Sequence, residues 1–183
     1  MARNTHRPTR RELLRQAAAL ACTALLPASL AAQSARPKTL QLSPRMSVIA
    51  GLDGNVLAAD SDDGVVLVDG GSVAWAAALL DGVEASFPGR PVRALFNTHW
   101  HEEQTGANLV LGERGVEIVA HENTKLWLGS EVWVRWSDKK YAPLPKAAQP
   151  TTTVYDPGTR TIGGRRIDYG RSEEHTSELQ SRT

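Results

Sequence analysis

Two imidazoles one residue apart, His99 and His101, stand in the run Asn97-Thr98-His99-Trp100-His101-Glu102-Glu103-Gln104-Thr105-Gly106-Ala107-Asn108. In an extended segment alternate side chains share one side, so both histidines can face one cation while Trp100 turns away. Imidazole nitrogen and carboxylate oxygen are ligands that zinc accepts. Glu103, two residues on, could bind the same ion or orient a water for attack, which makes it the candidate catalytic residue as well as a metal ligand. A bare His-x-His is also how two unrelated surface histidines look, so the weight rests on the elements that position it.

Those elements read as strands first, then strand and helix in alternation, the pattern of a mixed α/β layer fold. Ser47–Ala50, Gly54–Ala59 and the β-branched run Val65–Val68 are expected strands of antiparallel hairpins, with Ser61-Asp62-Asp63-Gly64 as a turn and Asp69-Gly70-Gly71 closing the last strand. Ser72 is positioned to cap a helix from Val73 to about Ala85, which Phe87-Pro88-Gly89 would stop. Val92–Phe96 is a strand that feeds the histidine loop, Gly106 to about Arg114 a short helix, Val116–Ala120 a strand, and Glu122 to about Leu128 another helix. Residues 137–157 read as a long surface loop in which Thr151–Tyr155 can form a strand, with Asp138-Lys139-Lys140 solvated. Arg160–Tyr169 reads as a hairpin turning at Gly163-Gly164. Leu126, Trp127, Val132, Trp133 and Trp136 are taken first as core or lid packing at helical spacing, and second as a flap over a cleft.

The order strand, Asn-Thr-His-x-His, Thr-Gly-Ala-Asn, strand, then Ala120-His121-Glu122-Asn123-Thr124, together with the earlier Asp69-Gly70-Gly71, resembles the metallo-β-lactamase superfamily over roughly residues 40–170. The resemblance implies an αβ/βα sandwich, truncated to about its first half, and a metal-dependent hydrolase in the full-length parent. In the family pattern His-x-His-x-Asp-His the first pair of histidines serves one metal and the Asp-His pair a second. His99 and His101 match the first pair, whereas Glu103 stands for the Asp and Gln104 for the last His. A glutamate can still reach an ion, but a neutral amide is a poor zinc ligand. One well-bound zinc is therefore expected, its remaining ligands implied further downstream. The resemblance puts Asp69 beneath the metal, holding the histidine loop, and gives His121 no ligand role; Asp69, Gln104 and His121 are read as outer supports of the ligands. The competing expectation is a non-catalytic binding or accessory protein on the same scaffold, for which Gln104 is the argument.

The chain ends carry their own signals. Thr9-Arg10-Arg11-Glu12-Leu13-Leu14 leads into an apolar run from Ala17 to Leu26, too short for a membrane-spanning helix and built like a removable export signal over residues 1–35, cut after Ala31 or near Ala35. The paired arginines resemble a twin-arginine signal, which implies the twin-arginine export machinery as a partner and a bacterial periplasmic or secreted destination. Residues 171–181, Arg-Ser-Glu-Glu-His-Thr-Ser-Glu-Leu-Gln-Ser, resemble translated sequencing adapter, so 171–183 is expected to be non-native and 36–170 to be the partial domain. Without five arginines and one glutamate at the front and two arginines and three glutamates at the back, the formal charge of +1 becomes slightly negative. Such a body has no electrostatic footprint for nucleic acid or, once the signal is removed, for a membrane surface. A small-molecule substrate is the expected partner. The sole cysteine, Cys22, lies in the expected signal, so the mature chain would form no disulfide.

Overall fold

A computed structural model describes residues 37–170, and the expected signal (1–35) and foreign tail (171–183) lie outside the described residues. Strands β1 (Lys38–Ser43), β2 (Met46–Ala50), β3 (Val56–Ser61) and β4 (Gly64–Val68) form an antiparallel meander. From β4 onward the sheet turns parallel: β5 (Val92–Asn97), β6 (Glu117–His121) and β9 (Thr152–Val154) complete a seven-stranded sheet in the order β1-β2-β3-β4-β5-β6-β9.

Strands buried on both faces need unbroken apolar runs, which explains Val65-Val66-Leu67 in β4. Val65, Leu67, Leu95 and Ile118 point to one face, where Ile49, Leu79, Val83 and Leu111 join them in the main core. Val66, Ala94, Phe96 and Val119 point to the other. Helix α1 (Ala76–Ser86) covers the first face through Leu79 and Val83, four residues apart, and each such side chain contributes about 1.5–3 kcal/mol on burial. Among the described residues the second face is covered by the hairpin of β10 (Gly158–Ile162) and β11 (Arg165–Tyr169), whose Ile162, Ile167 and Tyr169 are partly buried against it. Its turn falls at Gly163 and Gly164, with φ of 50° and 71°, as the hairpin reading requires.

Four expectations are corrected. Ser72 makes no capping bond: its hydroxyl donates to Asp53 Oδ2 at 2.7 Å, a 3-10 turn (Val73–Trp75) intervenes, and α1 starts at Ala76. The helix expected from Gly106 begins earlier, as α2 (Glu102–Thr105), and resumes as α3 (Asn108–Gly112). Gly106 is there for clearance. A Cβ on it would lie 2.1 Å from the Ser72 carbonyl carbon, at an ordinary φ of −63°. The third correction concerns the loop expected over residues 137–157: β8 (Lys139–Tyr141) pairs with β7 (Val132–Val134) and a 3-10 turn spans Lys146–Ala148, whereas β9 falls within the strand allowed for at Thr151–Tyr155. Finally, the tryptophans after α4 (Glu122–Leu128) are not core residues at helical spacing. Val132–Val134 is a strand, and Trp133 and Trp136 are 51% and 81% exposed. Among the described residues no helix is long and apolar enough to cross a membrane.

Candidate functional site

The parallel strands β4, β5, β6 and β9 run the same way, so their carboxyl ends share one edge of the sheet, the edge where open α/β sheets bind ligands. Asp69 follows β4, Thr98 to His101 follow β5, His121 ends β6 and Tyr155 follows β9. A cavity of about 1090 Å³ opens at this edge, with Thr98, His99, Trp100, His121, Trp127 and Tyr155 among its walls.

Residues 98–101 form a bend rather than the extended run expected from the alternation. The two histidines nevertheless converge, with ring centroids 4.7 Å apart and planes at 79°. Glu103, in the first turn of α2, places Oε1 3.8 Å from His101 Nδ1. The donor types suit zinc. Their number does not: among the described residues no three of His, Cys, Asp and Glu gather closely enough to hold an ion. The described part of the chain therefore supplies a pair of imidazoles and a neighbouring carboxylate, which is short of a complete metal centre.

The loop is held from below. Asp69 adopts φ of 65°, and its carboxylate accepts from Thr98 N at 2.8 Å and from the Thr98 hydroxyl at 2.9 and 3.0 Å. Burial pushes the Asp69 carboxyl above the usual range, against these bonds from Thr98, which favour the charged form. A hydroxyl has one proton to donate. With it committed to the Asp69 carboxylate, Thr98 Oγ1 can only accept from His99 Nδ1, 2.9 Å away. That assigns the Nδ1–H tautomer to His99 and leaves Nε2 as the ring's acceptor nitrogen, the form a metal ligand needs.

His101 caps α2 with its carbonyl, which accepts from Gln104 N at 3.1 Å and Thr105 N at 3.2 Å, while Thr105 Oγ1 adds a bond at 3.0 Å. The Gln104 carbonyl accepts from Gly70 N at 2.7 Å and from Asn97 Nδ2 at 3.2 Å, so its backbone ties the acidic turn to the histidine loop. Its side-chain oxygen is buried and has no hydrogen-bond partner. His121 is occupied otherwise. It is the N-cap of α4, where Nδ1 accepts from Asn123 N at 3.1 Å, so in the neutral ring Nε2 carries the proton and offers no lone pair to a metal.

Two groupings of supporting residues carry no signal as pairings, although Asn97, Trp100, Asn108 and Trp127 each stand in stretches already singled out. Asn97 and Asn108, both buried, exchange amide bonds at 2.8 and 3.0 Å, and Asn108 also donates to the Ala148 carbonyl at 2.9 Å. Trp100 stacks on Trp127 at 5.2 Å and 16°, and Tyr141 meets it edge-on at 5.1 Å and 84°. Neither grouping follows a helical or strand period, so no local pattern could have shown it.

The family model described as Metallo-beta-lactamase superfamily matches residues 49–176. No curated protein matches the chain. Among solved structures, the chain is similar to a metallo-beta-lactamase from Pontibacter korlensis, with 21% identity and a TM-score of 0.53 over 72% of this chain and 59% of that one. It is also similar to a Cronobacter sakazakii metallo-beta-lactamase with a HARLDQ motif, at 17% identity and a TM-score of 0.60 over 73% and 52%. A subclass B3 metallo-beta-lactamase of Bradyrhizobium japonicum gives 17% and 0.61 over 79% and 56%. At such identities the likeness speaks for the fold, and the chain spans between 52% and 59% of the length of these proteins.

Proposed function

The chain belongs to the metallo-beta-lactamase superfamily, whose fold is that of metal-dependent hydrolases, and from that premise we propose that it is part of an exported zinc-dependent hydrolase of small molecules. The observation that carries this reading is the pair of facing imidazoles, 4.7 Å apart, at the carboxyl ends of parallel strands beside a large cavity.

In this reading His99 and His101 are the chain's own ligands to one zinc ion, and the remaining ligands come from beyond the described residues. Zinc bound there would supply positive charge to polarise a carbonyl and acidify water for hydrolysis of an ester or amide bond. Asp69 and Thr98 hold His99 in its ligating tautomer. Glu103 lies beside His101, where it can take a proton or orient the attacking water. Transport by the twin-arginine machinery would deliver the protein to the periplasm or the exterior, with the segment 1–35 removed.

Gln104 is the argument for the non-catalytic alternative. The HARLDQ motif of the Cronobacter sakazakii metallo-beta-lactamase weakens it, because that string, like His99-Trp100-His101-Glu102-Glu103-Gln104, opens on His, has an acidic fifth residue and ends on Gln. β-Lactam hydrolysis is not implied, since a shared fold does not choose the substrate. The deciding experiment is metal analysis of the complete parent protein beside a His99→Ala/His101→Ala variant. Zinc and hydrolysis should both disappear in the variant, and equal zinc in the two proteins would overturn the assignment.

A further inference from the structure

The bend at residues 98–101 removes the simplest reason for the two histidines to converge, which was the alternation of an extended strand. Something else must hold them together. Thr98 is fastened to Asp69 at the start of the loop, and the carbonyl of His101 is fastened to α2 at its end. Between these two points lies Trp100, half-buried, with its ring in a slot whose floor is Trp127 of α4 and whose side is Tyr141 of β8. The offset stack and the edge-on contact are the two arrangements that aromatic quadrupoles favour, so the slot defines the orientation of the ring as well as its depth.

We propose that Trp100 is a positioning residue, which sets the separation of His99 and His101 by staking the middle of their loop to α4 and to the β7–β8 hairpin. Three features support this. The ring of Trp100 also touches that of His101, with centroids 4.8 Å apart and planes at 64°, so a shift of the tryptophan moves the second histidine directly. The hairpin is tied to the same stretch a second time, by Lys139 Nζ to Glu102 Oε2 at 2.7 Å. Lys139 also lies 4.5 Å over the Tyr141 ring, which keeps that wall of the slot in place. The hairpin that carries Tyr141 presents Trp133 and Trp136 to solvent on the cavity wall.

The inference rests on the metal-binding reading only for its effect on zinc affinity, and the test separates the two. In the metal-free whole chain, NMR should show a ring-to-ring contact between His99 and His101 in the wild type and in Trp100→Phe, and should lose it in Trp100→Ala, with the far-ultraviolet circular dichroism unchanged. In the complete parent protein, zinc affinity should fall about 10–100-fold in Trp100→Ala, the usual effect of removing an outer support, and recover most of that in Trp100→Phe. Tyr141→Ala approaches the same slot from the hairpin side. It should weaken the ring contact without unfolding the chain, and it decides the matter should Trp100→Ala unfold. An intact histidine contact in Trp100→Ala, or in a folded Tyr141→Ala should Trp100→Ala not fold, would overturn the proposal. A complete parent protein that shows the contact yet binds no zinc would sink the metal reading and leave the positioning role standing.

Discussion

Replacing Asn108 by alanine should destabilise the protein by about 3–4 kcal/mol, because the two buried amides beneath the histidine loop satisfy each other and the alanine strands two buried acceptors. Asn108 is fully buried and Asn97 is 5% exposed. The substitution removes three bonds: Asn108 Nδ2 to Asn97 Oδ1 at 2.8 Å, Asn108 Nδ2 to the Ala148 carbonyl at 2.9 Å, and Asn97 Nδ2 to Asn108 Oδ1 at 3.0 Å. Asn97 Nδ2 keeps the Gln104 carbonyl at 3.2 Å. Two buried acceptors, Asn97 Oδ1 and the Ala148 oxygen, are left without partners, at about 1–3 kcal/mol each. A domain has about 5–15 kcal/mol in total, so the loss should be plain as a lower urea midpoint at unchanged slope. Asn108→Asp makes the sharper control: at neutral pH it points a carboxylate at two carbonyl-type oxygens, and in acid it regains one donor. Its deficit should therefore shrink as the pH falls. A loss below about 1 kcal/mol for Asn108→Ala, with the slope unchanged, would show that the stranded oxygens of Asn97 and Ala148 find other donors and would refute the reasoning.

Gly106→Ala should cost about 3 kcal/mol or more in a thermal or urea melt, since its Cβ would sit 2.1 Å from backbone of the Ser72 turn and neither segment can yield cheaply; a near-neutral result would contradict that approach. Thr98→Val keeps the backbone bond to Asp69 but removes the hydroxyl that selects the His99 tautomer, so zinc affinity of the complete parent should drop about tenfold or more, measured by competition with a chelator. Glu117 is pushed upward by burial, yet Thr152 and Arg160 together hold its carboxyl below the usual 4.5. A depressed carboxylate stabilises the fold above its unfolded pKa and loses that contribution as pH falls through the folded one, so the advantage of wild type over Glu117→Gln should be present at pH 7 and vanish in acid; an advantage that persists at pH 2 would rule this out. Lys139→Ala breaks an ion pair whose side chains are 50% and 60% exposed, and should change stability by less than about 1 kcal/mol in the same melts.

Much of the architecture is local chemistry and was legible for that reason. The β4 run, the helix Glu122–Leu128, the stop at Phe87-Pro88-Gly89 and the Gly163-Gly164 hairpin each follow from propensity, period or turn geometry within a dozen residues. The helix start differs because the Ser72 hydroxyl is turned to Asp53, nineteen residues away, to which it donates, and accepts from no N–H of the turn it was expected to cap. The three-residue strands β7 and β8 carry too little period to be read, and their tryptophans mimic a core pattern that only exposure can dismiss.

The candidate site divides the same way. Residue types and spacing alone determined that His99, His101 and Glu103 lie close along the chain, that Asp69 sits in an acidic turn, and that the surrounding order is that of the superfamily. Tertiary structure decided everything that makes those residues a site. The Asp69–Thr98–His99 relay, the paired asparagines and the slot around Trp100 join segments from 11 to 41 residues apart, and the bend and the His121 cap are short-range departures that the packing around them selects. Sequence pattern reports what neighbours along the chain prefer; hydrogen bonds and ring contacts of this span are chosen by packing, which has no period to read.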